Sequence, residues 1–260
     1  MKVEFHKYHG TGNDFVILDN RDEQYSSLST EQVKHICDRH FGIGADGLML
    51  LNKKEGFDFE MLYYNADGHE SSMCGNGGRC LVKFAYNAGI TKSNYHFTAI
   101  DGEHEAEIDL SGIVRLKMQN VNEVEEHSSF ALLNTGSPHF VKYASDLDNV
   151  DVVQTGREIR YSKQFAKEGV NVNFVEVLNE DGIYVRTYER GVENETLSCG
   201  TGVTAAALMN AHNENGFNRV EVKTPGGHLS VEYIKLDDQH YTDIWLCGPA
   251  EFVFNGSMEL

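Results

Sequence analysis

Apolar and polar positions along the chain switch between two periods. Short β-type stretches come at Val3–Lys7, Phe15–Asp19 and Phe59–Asn65, and again at Val172–Val177 and Ile183–Tyr188. Asn179-Glu180-Asp181-Gly182, between the last two, predicts a hairpin turn. Helical signals sit between the strands. Ser29, with Gln32 three residues on, forms a capping box and predicts a helix to about Arg39. The second half has a counterpart predicted over Glu158–Lys167. A further helix is predicted from Gly75 to Ala88, with Leu81, Phe84, Ala85 and Ala88 on one face and Gly89 as its stop. Its counterpart runs from Gly200 to Asn213, and Val203–Met209 is apolar on nearly every side, the mark of a buried helix. Hairpin signals outnumber crossover helices. The predicted class is therefore α+β: a curved, mostly antiparallel sheet around a central helix in each half.

The halves resemble each other. Thr11-Gly12-Asn13-Asp14-Phe15-Val16 answers to Thr135-Gly136-Ser137-Pro138-His139-Phe140-Val141. YNADGHESSMCGNG, from Tyr64 to Gly77, answers to YERGVENETLSCGTG, from Tyr188 to Gly202. TAIDGEH, from Thr98 to His104, answers to TPGGH, from Thr224 to His228. All three pairs keep their order and are offset by about half the chain. That argues for duplication into two pseudo-symmetric domains. The expected boundaries are 1–116 and 117–248, with 249–260 returning to the first domain.

Composition narrows the class of partner. The net charge is −18, which disfavours nucleic acid and anionic membranes. A small anionic or zwitterionic substrate is still compatible, because a few backbone N–H groups can make a locally positive pocket. No apolar run spans a bilayer, and MKVEFHKYHG lacks the apolar core of a secretory signal. The five cysteines are Cys37, Cys74, Cys80, Cys199 and Cys247; with no CxxC pair, they suggest neither a disulfide framework nor a zinc site. A cytoplasmic protein with reduced thiols is expected.

Two of these cysteines stand apart. Met73-Cys74-Gly75-Asn76-Gly77-Gly78 and Ser198-Cys199-Gly200-Thr201-Gly202-Val203 each lead from Cys through Gly-x-Gly into a helix. The first N–H groups of a helix have no internal partner, and the macrodipole favours negative charge there. Such a start can bind a carboxylate and can also lower a cysteine's pKa from about 8.5. A lone cysteine is more often a small buried hydrophobe, and Cys37, Cys80 and Cys247 fit that description. A duplicated Cys-Gly-x-Gly helix start does not. Two related motifs suggest a pocket between the domains with one sulfur on each side of a ligand. That arrangement suits inversion at a Cα, one thiolate removing a proton and the other thiol delivering one. A redox disulfide between the two is the competing reading.

Asn13, Asn65, Asn76 and Asn171 lie in glycine-containing or strand-end segments, where Asn is also a common turn residue. Glu189-Arg190 could bind an amine and a carboxylate, or form a surface ion pair. His139 could polarise a thiol or serve as a loop hydrogen-bonding residue. No histidine spacing suggests a metal site.

Taken together, the chain resembles the diaminopimelate epimerase family. The resemblance is carried by His9-Gly10-Thr11-Gly12-Asn13-Asp14-Phe15, Gly42-Ile43-Gly44-Ala45-Asp46-Gly47, Asn65-Ala66-Asp67-Gly68, Cys74-Gly75-Asn76-Gly77, Gly136-Ser137-Pro138-His139, Tyr188-Glu189-Arg190-Gly191, Cys199-Gly200-Thr201-Gly202 and Pro225-Gly226-Gly227. It implies interconversion of LL- and meso-2,6-diaminopimelate without pyridoxal phosphate or metal, by a cytoplasmic homodimer. It also implies acid/base roles for Cys74 and Cys199 and substrate contacts from Asn13, Asn65, Asn171, Glu189 and Arg190. The backbones of Gly75-Asn76 and Gly200-Thr201 would contact substrate too, while His139 and Glu189 would tune the thiols. Two positions depart from the family: Ser137 stands where many members have Asn, and Gly47 where a substrate-contacting Gln is common. Other two-cysteine racemases of this fold, acting on histidine, proline or hydroxyproline, are the nearest alternative.

Overall fold

A computed structural model describes residues 1–179, 182–210 and 214–260. The chain divides into two compact units, residues 1–116 with 248–260, and residues 117–247.

The first unit comprises β1 (Lys2–Gly10), β2 (Asn13–Asp19), α1 (Thr30–Cys37), β3 (Gly47–Asn52), β4 (Phe59–Asn65), β5 (Glu70–Ser71), α2 (Gly75–Asn87), β6 (Asn94–Ala99), β7 (Gly102–Ile108) and β8 (Val114–Lys117). The second repeats the order from a preceding strand, β9 (Val124–Glu126). It continues with β10 (Ala131–Asn134), β11 (Pro138–Tyr143), α3 (Val152–Arg160), β12 (Asn171–Asn179), β13 (Gly182–Glu189), β14 (Asn194–Thr196), α4 (Gly200–Leu208), β15 (Gly216–Thr224), β16 (Gly227–Lys235) and β17 (Tyr241–Gly248). The chain then returns to the first unit, where β18 (Glu251–Glu259) pairs antiparallel with β1 from Lys2↔Glu259 to His9↔Glu251.

The pairings match step for step. β1–β2 and β10–β11 are antiparallel. β2–β3 and β11–β12 are parallel, each with a helix as the crossover. β3–β4 and β12–β13 are antiparallel, and β4–β6 and β13–β15 are again parallel crossovers over a helix. β18 on β1 has its counterpart in β9 on β10. The result is an α+β fold with mixed, mainly antiparallel pairing.

Helices cover both faces of the central strands, which explains why these strands read as apolar runs. In the first unit α1 buries Val33 and Ile36 with Val16, Leu18, Leu48 and Leu50. The start of α2 lies on the opposite face, where Gly77 abuts Phe15 and Met49. In the second unit Val152, Phe140, Val172, Phe174, Tyr184 and Tyr188 form one core on the α3 side. There α4 is almost wholly buried against β11, β12 and β13.

Some helix bounds differ from the sequence expectation. The capping box of α1 is present, with Ser29 accepting from the Gln32 N–H and Gln32 accepting from the Ser29 N–H. The helix predicted over 158–167 instead occupies Val152–Arg160, with the Asp151 side chain capping the Gln154 N–H. Its disguise is Gly156, a poor helix former that is required because a Cβ there would lie 2.4 Å from the Cβ of Tyr188. α4 ends at Leu208. The 211–213 part of the predicted 200–213 helix, and the Glu180-Asp181 turn, lie outside the described residues. No helix among the described residues is long and apolar enough to cross a membrane.

Candidate active site

In the first unit a tight turn sets the stage. Thr11 and Gly12 both have positive φ, 49° and 86°, and join β1 to β2 with Gly10 opposite Asn13. Two left-handed residues are what a two-residue hairpin with native twist requires. Asn13 therefore opens β2, beside the first turn of α2. Gly10 fits this close approach because a Cβ there would lie 3.1 Å from the Asn76 carbonyl oxygen.

Cys74 is the N-cap of α2, with extended backbone (φ −97°, ψ 132°), and its side chain makes no capping hydrogen bond. Its carbonyl accepts the first helical bond from the Gly78 N–H at 2.7 Å. The thiol instead donates to Asn13 Oδ1 at 3.6 Å. Asn76 Nδ2 donates to the same oxygen at 3.3 Å, and Asn13 Nδ2 donates to Asp46 Oδ2 at 2.7 Å. From below, the fully buried Arg79 donates to Asn76 Oδ1 at 3.0 Å and to the Gly75 carbonyl at 3.1 Å. Asp14, the neighbour of Asn13, takes a bidentate pair from Arg39 and an ion pair from Lys7 at 2.6 Å. Burial pushes the Asp14 carboxyl up, but the hydrogen bonds from Arg39 and Lys7 outweigh it and hold it at about 2.

In the second unit Cys199 is the N-cap of α4, again extended and without a side-chain cap bond. Its Sγ lies 3.5 Å from Thr201 Oγ1. The Thr201 carbonyl accepts from Thr135 Oγ1 at 2.8 Å, which ties the motif to the start of the repeat. Beneath α4, Asn173 Oδ1 accepts from Thr187 Oγ1 at 2.9 Å. That leaves its Nδ2 to donate to the Phe140 carbonyl at 3.2 Å and to His139 Nδ1 at 3.0 Å. His139 Nδ1 is thus an acceptor, so the neutral ring carries its proton on Nε2. Burial, with the nearby Arg190 charge, pushes His139 down to about 3. It is neutral at ordinary pH and not a base, and its buried Nε2 has no hydrogen-bond partner among the described residues.

A second polar cluster joins Ser137, Asn171 and Arg190. Asn171 Nδ2 donates to Ser137 Oγ at 2.9 Å and to the Pro138 carbonyl at 3.2 Å, while its Oδ1 accepts from the Arg190 N–H at 2.9 Å. The Arg190 guanidinium donates to Ser137 Oγ at 3.2 Å and to the Glu168 carbonyl at 3.0 Å. Glu189 is the half-buried last residue of β13. Asn65 is exposed at the end of β4, opposite Gly47. At Gly47 an added Cβ would lie 2.5 Å from Tyr63 Cε2 and 3.0 Å from its hydroxyl. The tyrosine ring fills the space that a longer residue 47 would need.

Asp46, Arg79, Asn173 and Thr187 belong to the site without a local sequence signal that marks them, although Asp46 lies inside the Gly42–Gly47 motif. Asn173 could have been found from strand period, since Asn171 and Asn173 share one face of β12. The second glycine of each Cys-Gly-x-Gly is required by packing. A Cβ at Gly202 would lie 2.3 Å from Asn173 Oδ1, and one at Gly77 3.3 Å from Met49 Sδ. These glycines let the helix start settle on the sheet. The remaining cysteines are buried; burial pushes Cys37 up to about 12 and raises Cys80 as well. Among the described residues no group of three His, Cys, Asp or Glu side chains could hold a metal ion.

The profile of the diaminopimelate epimerase family matches residues 5–124 and 131–253. A diaminopimelate epimerase of Flavobacterium psychrophilum is 49% identical over 253 residues, covering 97% of this chain and 98% of its own. One from Chlorobaculum tepidum is 43% identical over 261 residues, with 96% and 99% covered. Among solved structures, a Bacillus anthracis phenazine biosynthesis protein of the PhzF family superposes with a TM-score of 0.79 at 13% identity, covering all of both chains. A hydroxyproline epimerase from Agrobacterium vitis gives 0.68 at 14% identity, covering 99% and 91%. At those identities the solved structures speak for the fold alone.

Proposed function

The chain belongs to the diaminopimelate epimerase family, and from that premise we propose that Cys74 and Cys199 invert the α-carbon of diaminopimelate, interconverting the LL and meso forms. The observation that carries the reading is the pair of cysteines at helix N-caps, each with its side chain turned away from capping. Inversion needs a thiolate that takes the α-proton and a thiol that returns one to the opposite face. At an ordinary pKa of about 8.5, a cysteine is only a few per cent thiolate at pH 7. A helix N-terminus raises that fraction, and the same N–H groups, at Gly75-Asn76 and Gly200-Thr201, suit the α-carboxylate and the enediolate-like charge that builds on it. Proton transfer from groups with pKa near the working pH is the most effective kind.

Asn13, Asn65, Asn171, Glu189 and Arg190 are proposed to bind substrate, with Ser137 held between Asn171 and Arg190. His139, held neutral with an unengaged Nε2–H, is proposed to favour thiolate over thiol, and Glu189 is proposed to share that tuning role. The reading extends to a cytoplasmic homodimer that acts on a small molecule and uses no cofactor; the charge of −18 supports the absence of nucleic acid and anionic membrane partners.

The test is solvent exchange. The protein, reduced and without added cofactor, is incubated with LL-diaminopimelate in D2O, and deuterium is sought at Cα. Exchange with LL-diaminopimelate but not with proline or histidine is expected. No exchange in a folded, reduced sample would overturn the reading.

A further inference from the structure

The hydrogen bonds around Asn13 form one chain whose direction is fixed from both ends. At one end, Arg39 donates to Asp46 Oδ1 at 2.7 Å. Asp46 Oδ2 then accepts from Asn13 Nδ2 at 2.7 Å and from the Asp14 N–H at 3.2 Å. A carboxylate cannot donate, so Asn13 must present its NH2 to Asp46 and its carbonyl oxygen to Cys74. At the other end Arg79, which can only donate, takes Asn76 Oδ1 at 3.0 Å. Asn76 must therefore present its NH2 to Asn13 Oδ1, at 3.3 Å. Neither amide can turn over without setting two donors or two acceptors against each other. The Asn13 group that faces the Cys74 sulfur is thus an acceptor, 3.6 Å away.

We infer that Asp46 and Arg79 are positioning residues that hold the Asn13 carbonyl on the Cys74 sulfur and thereby favour its protonated form. The inference rests on the reading of Cys74 as one of the two proton-exchanging residues. A helix N-terminus by itself would favour the thiolate, and a sulfur locked as thiolate cannot deliver a proton. An acceptor against it opposes that pull, so the sulfur can be visited in both states. Other charged or titratable groups face this region: Lys7 of β1, Asp14 of β2, Arg39 after α1, and Arg79 and the neutral Cys80 on α2. Asp101, which accepts from the Met73 N–H, and its partner His104 lie beside them. The closing experiment separates the direction of the hydrogen bond from these charges.

The measurement is the pH midpoint for alkylation of Cys74, read by mass spectrometry of the Cys74 peptide. It does not depend on any epimerase activity, so it can fail while the functional reading stands, or the reverse. Asp46 is partly exposed, with side-chain exposure of 44%, and suits substitution. Asp46→Ala removes the acceptor that anchors the Asn13 NH2, loosens the Asn13 carbonyl from the sulfur, and lowers the midpoint by about one pH unit. Asp46→Asn removes the same charge but can keep an oxygen facing the two donors, and it retains the wild-type midpoint. Asn13→Ala deletes the facing carbonyl itself and lowers the midpoint as Asp46→Ala does. An unchanged midpoint in both alanine variants would overturn the inference. So would an equal fall in Asp46→Ala and Asp46→Asn, which would assign the effect to charge.

Discussion

The cysteines at the N-caps of α2 and α4 are distinguished from the other three by where they sit, not by being cysteines. Cys37, Cys80 and Cys247 are buried within α1, α2 and β17; Cys199 is buried too, but like the half-buried Cys74 it stands at a helix N-cap. Replacement of Cys74 or Cys199 by Ala is expected to lower the epimerisation rate by about 10²–10⁴-fold or more, the usual weight of a positioned proton-transfer group. Cys37→Ala should keep the rate, and a deuterium-exchange assay reads all three. Substantial activity in either of the first two variants would defeat the two-thiol assignment. His139 gives a second prediction, in stability. Its folded pKa of about 3 lies below the unfolded value of 6.5, so between those limits the unfolded chain binds the extra proton. Stability from this residue is full above pH 6.5 and is lost as pH falls, at about 1.4 kcal/mol per pH unit. Urea unfolding at pH 7, 6 and 5 should show a shallower pH slope in His139→Gln than in wild type. Equal slopes would remove His139 from the account. Asp14 acts in a lower window: its carboxyl, held at about 2 against 3.8, adds stability that is lost only as pH falls through that range.

At the scale of elements, the second glycine of each motif governs how closely a helix start can approach its sheet. Gly202 faces a polar atom already committed, because Asn173 is held by Thr187, His139 and the Phe140 carbonyl. Gly77 faces the flexible end of Met49. Gly202→Ala should therefore cost about 1–3 kcal/mol, as overpacking does, and Gly77→Ala distinctly less. Chemical denaturation of the two variants checks the order. Strands and caps were legible because their signals are local. The β4 bounds, Phe59–Asn65, coincide with those read from the sequence, and the Ser29–Gln32 box needs four residues to recognise. α3 was placed several residues too late because Gly156 answers to Tyr188, a residue of a distant strand, and no local pattern records that debt to packing. The Asn13–Asp46 bond was illegible for the same reason. Each partner lies in a visible motif, but only the parallel pairing of β2 with β3 brings them together.

For the molecule as a whole, the internal repeat was visible in three motif pairs, and the structure extends it to the α-helices and the matching strand pairings of the two units. The sequence did not disclose what pairs with β1. β18 continues the sheet along β1 over nearly its whole length, though Lys2 and Glu259 stand at opposite ends of the chain. The first unit thus contains the second as a long insertion between β8 and β18. During synthesis the ribosome releases β1 before, and β18 after, every strand of the second unit. The second unit can complete its pairings while the first still presents the unpaired edge of β1, an edge that carries Val3 and Phe5 and invites wrong partners. A chain ending at residue 248 should show slow amide exchange in β12 and β13 but fast exchange in β1. Protection of β1 in that truncated chain would show that its edge needs no cover. The nine-residue strand β18 therefore acts as a timer: the unit bearing Cys74 closes only after the second unit has been made.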